Sequence, residues 1–146
     1  MSVRAVEKDI EQALEAGINA RLATDGVSGV SSNTLLSGAP GEEPMFPYIF
    51  VMCRPLNHLG AGTNQWTGEA QVAIMTKHLT PQDRNATTMG DILASVAYAL
   101  DYDNFTTHTT RIGSLAIRRA GGSYRFEGSD NECLIDIEII KACGSK

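Results

Sequence analysis

Cys53, His58 and His78 are the side chains best placed to do chemistry in this sequence, and that chemistry would be a thiolate paired with an imidazole. A nucleophilic cysteine needs a depressed pKa and some access to solvent. Cys53 instead closes the run Tyr48-Ile-Phe-Val-Met-Cys53, where a cysteine ordinarily behaves as a small buried hydrophobe. A structural cysteine is therefore expected. His58, His78 and His108 show no HExxH spacing, so no metal site is expected. Asp101-Tyr102-Asp103-Asn104 opens as calcium loops do. Phe105 and Thr106 follow it, the turn glycine is missing, and Ile112 stands where the closing glutamate belongs. Gly60-Ala61-Gly62 lacks the continuation and lysine of a phosphate cradle. Glu42-Glu43 are adjacent carboxylates in a polar stretch, without the opposed environments an acid/base pair requires. No catalytic residue and no cofactor is assigned, and a small cytoplasmic enzyme or ligand-binding domain around Cys53 and His58 stands as an alternative.

A different feature carries more information. Thr24 to Pro47 reads TDGVSGVSSNTLLSGAPGEEPMFP, a Gly/Ser/Pro-rich stretch between an amphipathic helix and an apolar strand. Structureless connections longer than about 12–15 residues are generally binding loops, lids or disorder. Leu35, Leu36, Met45 and Phe46 place four apolar side chains within it, and these need shelter, either over the protein's own core or on a neighbouring subunit. With no catalytic set to cover, a docking loop is preferred to a lid, and the chain reads as an assembly protein.

With 146 residues, of which 42% are hydrophobic, the sequence is long enough for one domain with a real core, and 1–146 is read as a single unit. A net charge of −5 argues against a general nucleic-acid coat. Arg111, Arg118, Arg119 and Arg125 could form a local basic strip. Asp130, Glu132, Asp136 and Glu138 follow closely, however, and opposite charges on neighbouring strands support each other. Cys53, Cys133 and Cys143 are an odd number without CxxC spacing, and the N-terminus lacks an apolar leader, so a reducing intracellular site of synthesis is expected. No apolar run approaches the roughly 20 residues that cross a bilayer, and no membrane partner is expected.

The elements that would position these residues follow from periodicity. Val3, Val6, Ile10, Leu14, Ile18 and Leu22 recur at helical spacing. Ser2 is the expected N-cap, Asp25-Gly26 the stop, and Glu7, Glu11 and Glu15 an outward like-charge row. Tyr48 to Cys53 is expected as a central strand covered on both faces. Trp66 to Thr76 alternates as a half-buried strand and should pair antiparallel with it. Thr87 or Thr88 opens a second helix with Ile92, Leu93, Val96 and Leu100 on one face. Leu115–Arg118, Tyr124–Glu127 and Leu134–Ile140 read as three short strands separated by Ala-Gly-Gly-Ser and Gly-Ser-Asp-Asn turns. The expected fold is α+β: an antiparallel or mixed sheet carrying two amphipathic helices, with the long loop between the first helix and first strand.

This order, VRAVEKDIEQALEAGINARL, loop, YIFVMC, WTGEAQVAIMT, TMGDILASVAYAL and LIDIEII, resembles the tail terminator, or tail-completion, proteins of long-tailed bacteriophages across nearly the whole chain. The resemblance implies a structural virion protein assembled in the host cytoplasm. Six copies would form a ring that caps the tail tube, ends its growth and meets the head connector, with DNA passing through the lumen unbound. Another neck component, a head-closure or tail-to-head joining protein, is the nearest alternative. A closed ring joins two different patches on successive copies. The candidate arm contacts are Leu35, Leu36, Met45 and Phe46, and the candidate rim contacts are Arg118, Arg119, Glu132 and Asp136.

Overall fold

The computed structural model describes residues 6–36, 47–60, 65–77, 89–101, 104–105, 112–127 and 130–144. Ser2, Met45, Phe46, His78, Thr87, Thr88, His108 and Arg111 lie outside the described residues. The elements are α1 (Val6–Thr24), β1 (Ser31–Thr34), β2 (Tyr48–Cys53), β3 (Asn57–His58), β4 (Gln65–Lys77), α2 (Met89–Ala99), β5 (Ile112–Glu127) and β6 (Asp130–Gly144). Among the described residues, six strands make one mixed sheet in the order β1-β2-β4-β6-β5, with β3 also paired to β4. This is the α+β fold expected.

Burial explains the layers. Ile10, Leu14 and Ile18 of α1, with Ile92, Val96 and Leu100 of α2 and its exit, are fully buried with Ile49, Val51, Val72, Ile74, Ile117, Ile137 and Ile139 of the sheet. Each such side chain contributes about 1.5–3 kcal/mol when buried, against about 0–1 for an exposed ion pair, so the apolar layer decides the fold. α1 ends as Asp25-Gly26 foretold. Gly26 has φ 72°, the Gly26 N–H donates to the Ala23 carbonyl at 3.2 Å, and the Val27 N–H donates to Leu22 at 2.9 Å, a Schellman closure. Asp25 then locks the helices together. Its carboxylate accepts from Ser95 Oγ at 2.6 Å and from Arg21 Nε at 3.0 Å, and these two hydrogen bonds, Ser95 first, hold its pKa below the usual range. The Arg21 guanidinium lies 4.0 Å over the Tyr98 ring.

Three expectations change. The stretch from Thr24 to Pro47 contains a strand, since β1 pairs parallel to β2 with Ser31 opposite Tyr48 and Thr34 opposite Val51. β2 is closed on its helix side by Ile49, Val51 and Cys53, but Phe50 and Met52 on the other side are only half-buried. Ala120-Gly-Gly-Ser123 is no turn. β5 is one strand of 16 residues running antiparallel along β6, with a register shift between Arg119 and Gly121. Gly121 sits at φ 151°, and a Cβ on Gly122 would lie 2.2 Å from the Leu134 carbonyl oxygen, so the glycines serve a bulge and a close backbone approach. Gly128 and Ser129 of the Gly-Ser-Asp-Asn signal lie outside the described residues, and β6 begins at its Asp130.

Candidate functional site

α1 governs the loop. Glu7, Glu11 and Glu15 follow Val6, Ile10 and Leu14 by one position, about 100° around the helix, so the row flanks the apolar stripe instead of opposing it. Glu11 is fully buried. Its Oε1 accepts the Leu36 N–H at 2.8 Å and its Oε2 accepts the Cys53 N–H at 2.9 Å, while Glu7 Oε2 accepts the Leu56 N–H at 3.1 Å. Asn19 Nδ2, eight residues further along the same side, donates to Ser32 Oγ at 3.1 Å. Carboxylates thus satisfy the backbone donors that β1 and β2 leave at their ends, a role the sequence reading missed. Burial raises the Glu11 pKa above the ordinary carboxylate value, the Leu36 and Cys53 hydrogen bonds oppose this, and nearby Glu15 adds to it.

Pinned at its backbone, the loop holds its leucines outward. Leu35 is 48% exposed and Leu36 45%. They do not fold over their own core.

Cys53 is buried, and desolvation together with the negative charges of Glu11 and Glu7 pushes its thiol up to about 12. Its Sγ donates to the Arg54 carbonyl at 3.4 Å. Such a thiol stays protonated at neutral pH and cannot supply a ready thiolate. His58 is exposed and packs on Trp66 with ring centroids 4.3 Å apart. No cluster of three or more metal-ligating side chains occurs among the described residues. No helix among them is long and apolar enough to cross a membrane.

The charged candidates gather on β4, β5 and β6. Arg118 lies opposite Glu138 and forms an ion pair with it, Arg119 Nε donates to Asp101 Oδ1 at 2.9 Å, and Gln71 Nε2 donates to Asp136 Oδ1 at 2.9 Å. Glu132 faces Arg125 across the same ladder. Cross-strand support within the chain, rather than a basic strip, accounts for Arg118. Glu69 and Glu138 are directly opposed, and Arg54, 3.6 Å from Glu69, and Arg118 offset that repulsion. Arg54, Asn57, Glu69, Asp136 and Glu138 line a groove of about 930 Å³.

The candidates therefore fall at two places. Leu35 and Leu36 sit at the β1 end of the sheet, Arg118 and Arg119 lie on β5 at the other end, and Glu132 and Asp136 lie on adjacent β6.

The fold is shared with known proteins. The chain is similar to a chain of the virion of a native gene transfer agent particle, at 13% identity and a TM-score of 0.55, with 92% of this chain and 94% of that one covered. A second solved protein is 16% identical with a TM-score of 0.52, and covers 97% of this chain and 99% of its own. Neither a family model nor a curated protein matches the sequence. At these identities the likeness is one of fold, and it covers more than nine-tenths of each chain compared. A shared fold does not by itself assign a role.

Proposed function

We propose that this chain is a structural subunit of a phage-like particle and, more finely, a tail terminator: a ring that caps the tail tube, ends its polymerisation and offers a surface to the head connector. The observation carrying the reading is the end-to-end likeness to a virion chain of a gene transfer agent particle, 92% against 94% in coverage. The site supports it. Two leucines held outward by a buried carboxylate make a sticky edge that a free monomer would not need. A protonated, buried Cys53 counts against the alternative built on thiolate chemistry.

In this reading the chain resides in the virion neck and contacts further copies of itself, most simply six, along with tube and connector proteins. Leu35, Leu36, Met45 and Phe46 serve as arm contacts, and Arg118, Arg119, Glu132 and Asp136 lie at the rim. The net charge of −5 suits a lumen through which DNA slides without sticking. Deleting the gene and imaging the particles by electron microscopy tests it. Overlong tails without heads are expected. Tails of normal length beside filled heads would reassign the chain to head-to-tail joining, and unaltered particles would refute a structural role.

A further inference from the structure

Glu11 has no exposed surface, and among the described residues no cation is paired with it. Its carboxylate joins the ends of two strands, accepting the Leu36 N–H at one oxygen and the Cys53 N–H at the other. Glu7 and Glu15, carrying the same charge, stand one turn away on either side along α1. We infer that Glu11 is a charge-loaded latch: its ionisation favours release of the Leu35–Leu36 segment from α1, and its protonation favours closure. The inference goes beyond the proposed role in a particle and does not depend on it.

The geometry fixes which bond gives way. Cys53 lies within the β2–β4 ladder opposite Ala70, so the sheet keeps its N–H in place. Leu36 follows the last bond from this segment to β2, in which the Leu35 N–H donates to the Val51 carbonyl at 3.0 Å, and its side chain is already 45% exposed. It can leave without opening the core. The charge balance fixes the direction. A buried ion loses its hydration, and without a cation the two N–H donors are all that replaces it; the neutral acid loses far less and still accepts at its carbonyl oxygen. Burial accordingly outweighs both hydrogen bonds and lifts the Glu11 pKa, with Glu15 adding to the rise. A released Glu11 is hydrated and titrates as an ordinary carboxylate. The closed form therefore binds the proton more tightly, and raising the pH shifts the equilibrium towards release. Among the described residues no group on a neighbouring element reverses this. β1 brings only Ser31, Ser32, Asn33 and Thr34, and β2 the neutral Cys53. Asp91 and Tyr98 of α2 lie by Asp25 and Arg21 at the far end of α1. On β5, Arg118 and Arg119 are paired with Glu138 and Asp101, and Tyr124 and Arg125 are exposed. Lys8 of α1 is exposed, and Arg54 is paired with Glu69.

Amide hydrogen exchange of the full chain tests the latch. Rates at Leu36, corrected for the intrinsic pH dependence of exchange, are followed from about pH 4 to about pH 7 in wild type and in Glu11→Gln, with the buried Val72 amide at the centre of the sheet as reference. In wild type the opening equilibrium at Leu36 should rise several-fold across that range and exceed that at Val72 throughout. In Glu11→Gln, which cannot ionise, it should be level. Glu15→Gln removes a like charge and keeps both buried hydrogen bonds, so it should reduce the rise, and it keeps the test decisive should Glu11→Gln fail to fold. An opening equilibrium that is level or falls with pH in wild type, an equal rise in Glu11→Gln, or an undiminished rise in Glu15→Gln overturns the inference. So does Leu36 exchange no faster than that of Val72, since the segment would then open only when the whole chain unfolds.

Discussion

Removing the Glu11 carboxylate should do more damage than any surface substitution on α1. Glu11→Ala leaves the buried Cys53 N–H and the part-buried Leu36 N–H without their acceptor. The unsatisfied buried donor costs about 1–3 kcal/mol and loss of the part-buried bond about 0.5–1.5 more, and release of the carboxylate's own desolvation returns part of this. The expected loss is about 1–4 kcal/mol. Glu11→Gln retains one acceptor and turns an amide NH2 towards the other donor, for a loss of about 1–3 kcal/mol. In urea, with a slope near 2 kcal/mol/M, the alanine variant's midpoint should fall by about 0.5–2 M. The charge makes a second signature. The folded pKa is raised above its ordinary 4.5, so the native state holds the proton more tightly than the unfolded chain. Wild-type stability relative to Glu11→Gln should therefore be greatest below pH 4.5 and decline as pH rises through the folded value. Glu15→Ala is the control, and it should change stability by less than about 0.5 kcal/mol. If Glu11→Ala matches that control, or if Leu36 amide exchange is unchanged by it, the carboxylate does not hold the loop.

Gly122→Ala should destabilise by about 1–3 kcal/mol or rearrange the bulge, because its Cβ would meet the Leu134 carbonyl at 2.2 Å; a urea midpoint unchanged from wild type would contradict the close approach. Thiol labelling of the folded protein at pH 8 should modify the half-buried Cys143 first. Raising Cys53 from 9.0 to about 12 cuts its thiolate fraction about 1,000-fold, so equal labelling rates at the two positions would reopen the case for a reactive cysteine. The Arg118–Glu138 pair is 61% and 44% exposed, and a double-mutant cycle should return no more than about 1 kcal/mol of coupling, screened by salt.

The helices and the pairing of β2 with β4 could be read from the sequence because each buries one periodic stripe, as Ile10, Leu14 and Ile18 do. Where backbone partners decided the outcome, local pattern misled. Gly121 and Gly122 carry the chemistry of a turn, but β6 offers 15 residues of ladder, and pairing along all of it favours a bulge over a reversal. Ser31 to Thr34 has no apolar alternation, and parallel pairing to β2 makes it a strand. Glu11 looked like a solvated carboxylate because its neighbours Glu7 and Glu15 repeat at four-residue steps. Its phase against the apolar stripe was the available signal, yet no local feature names the Leu36 and Cys53 donors, which come from 25 and 42 residues away.

The sheet's two ends also constrain what can pair with them. An open strand edge pairs with any similar edge unless it is blunted. Among the described residues, β1 pairs only with β2 and β5 only with β6, so each end has an outer edge. Both carry devices against indiscriminate pairing. β1 is four residues long, and β5 bears Arg118, Arg119 and Arg125 together with the Gly121 irregularity that interrupts a regular ladder. Strand addition is therefore disfavoured at both ends, although Leu35 and Leu36 stay exposed just beyond β1.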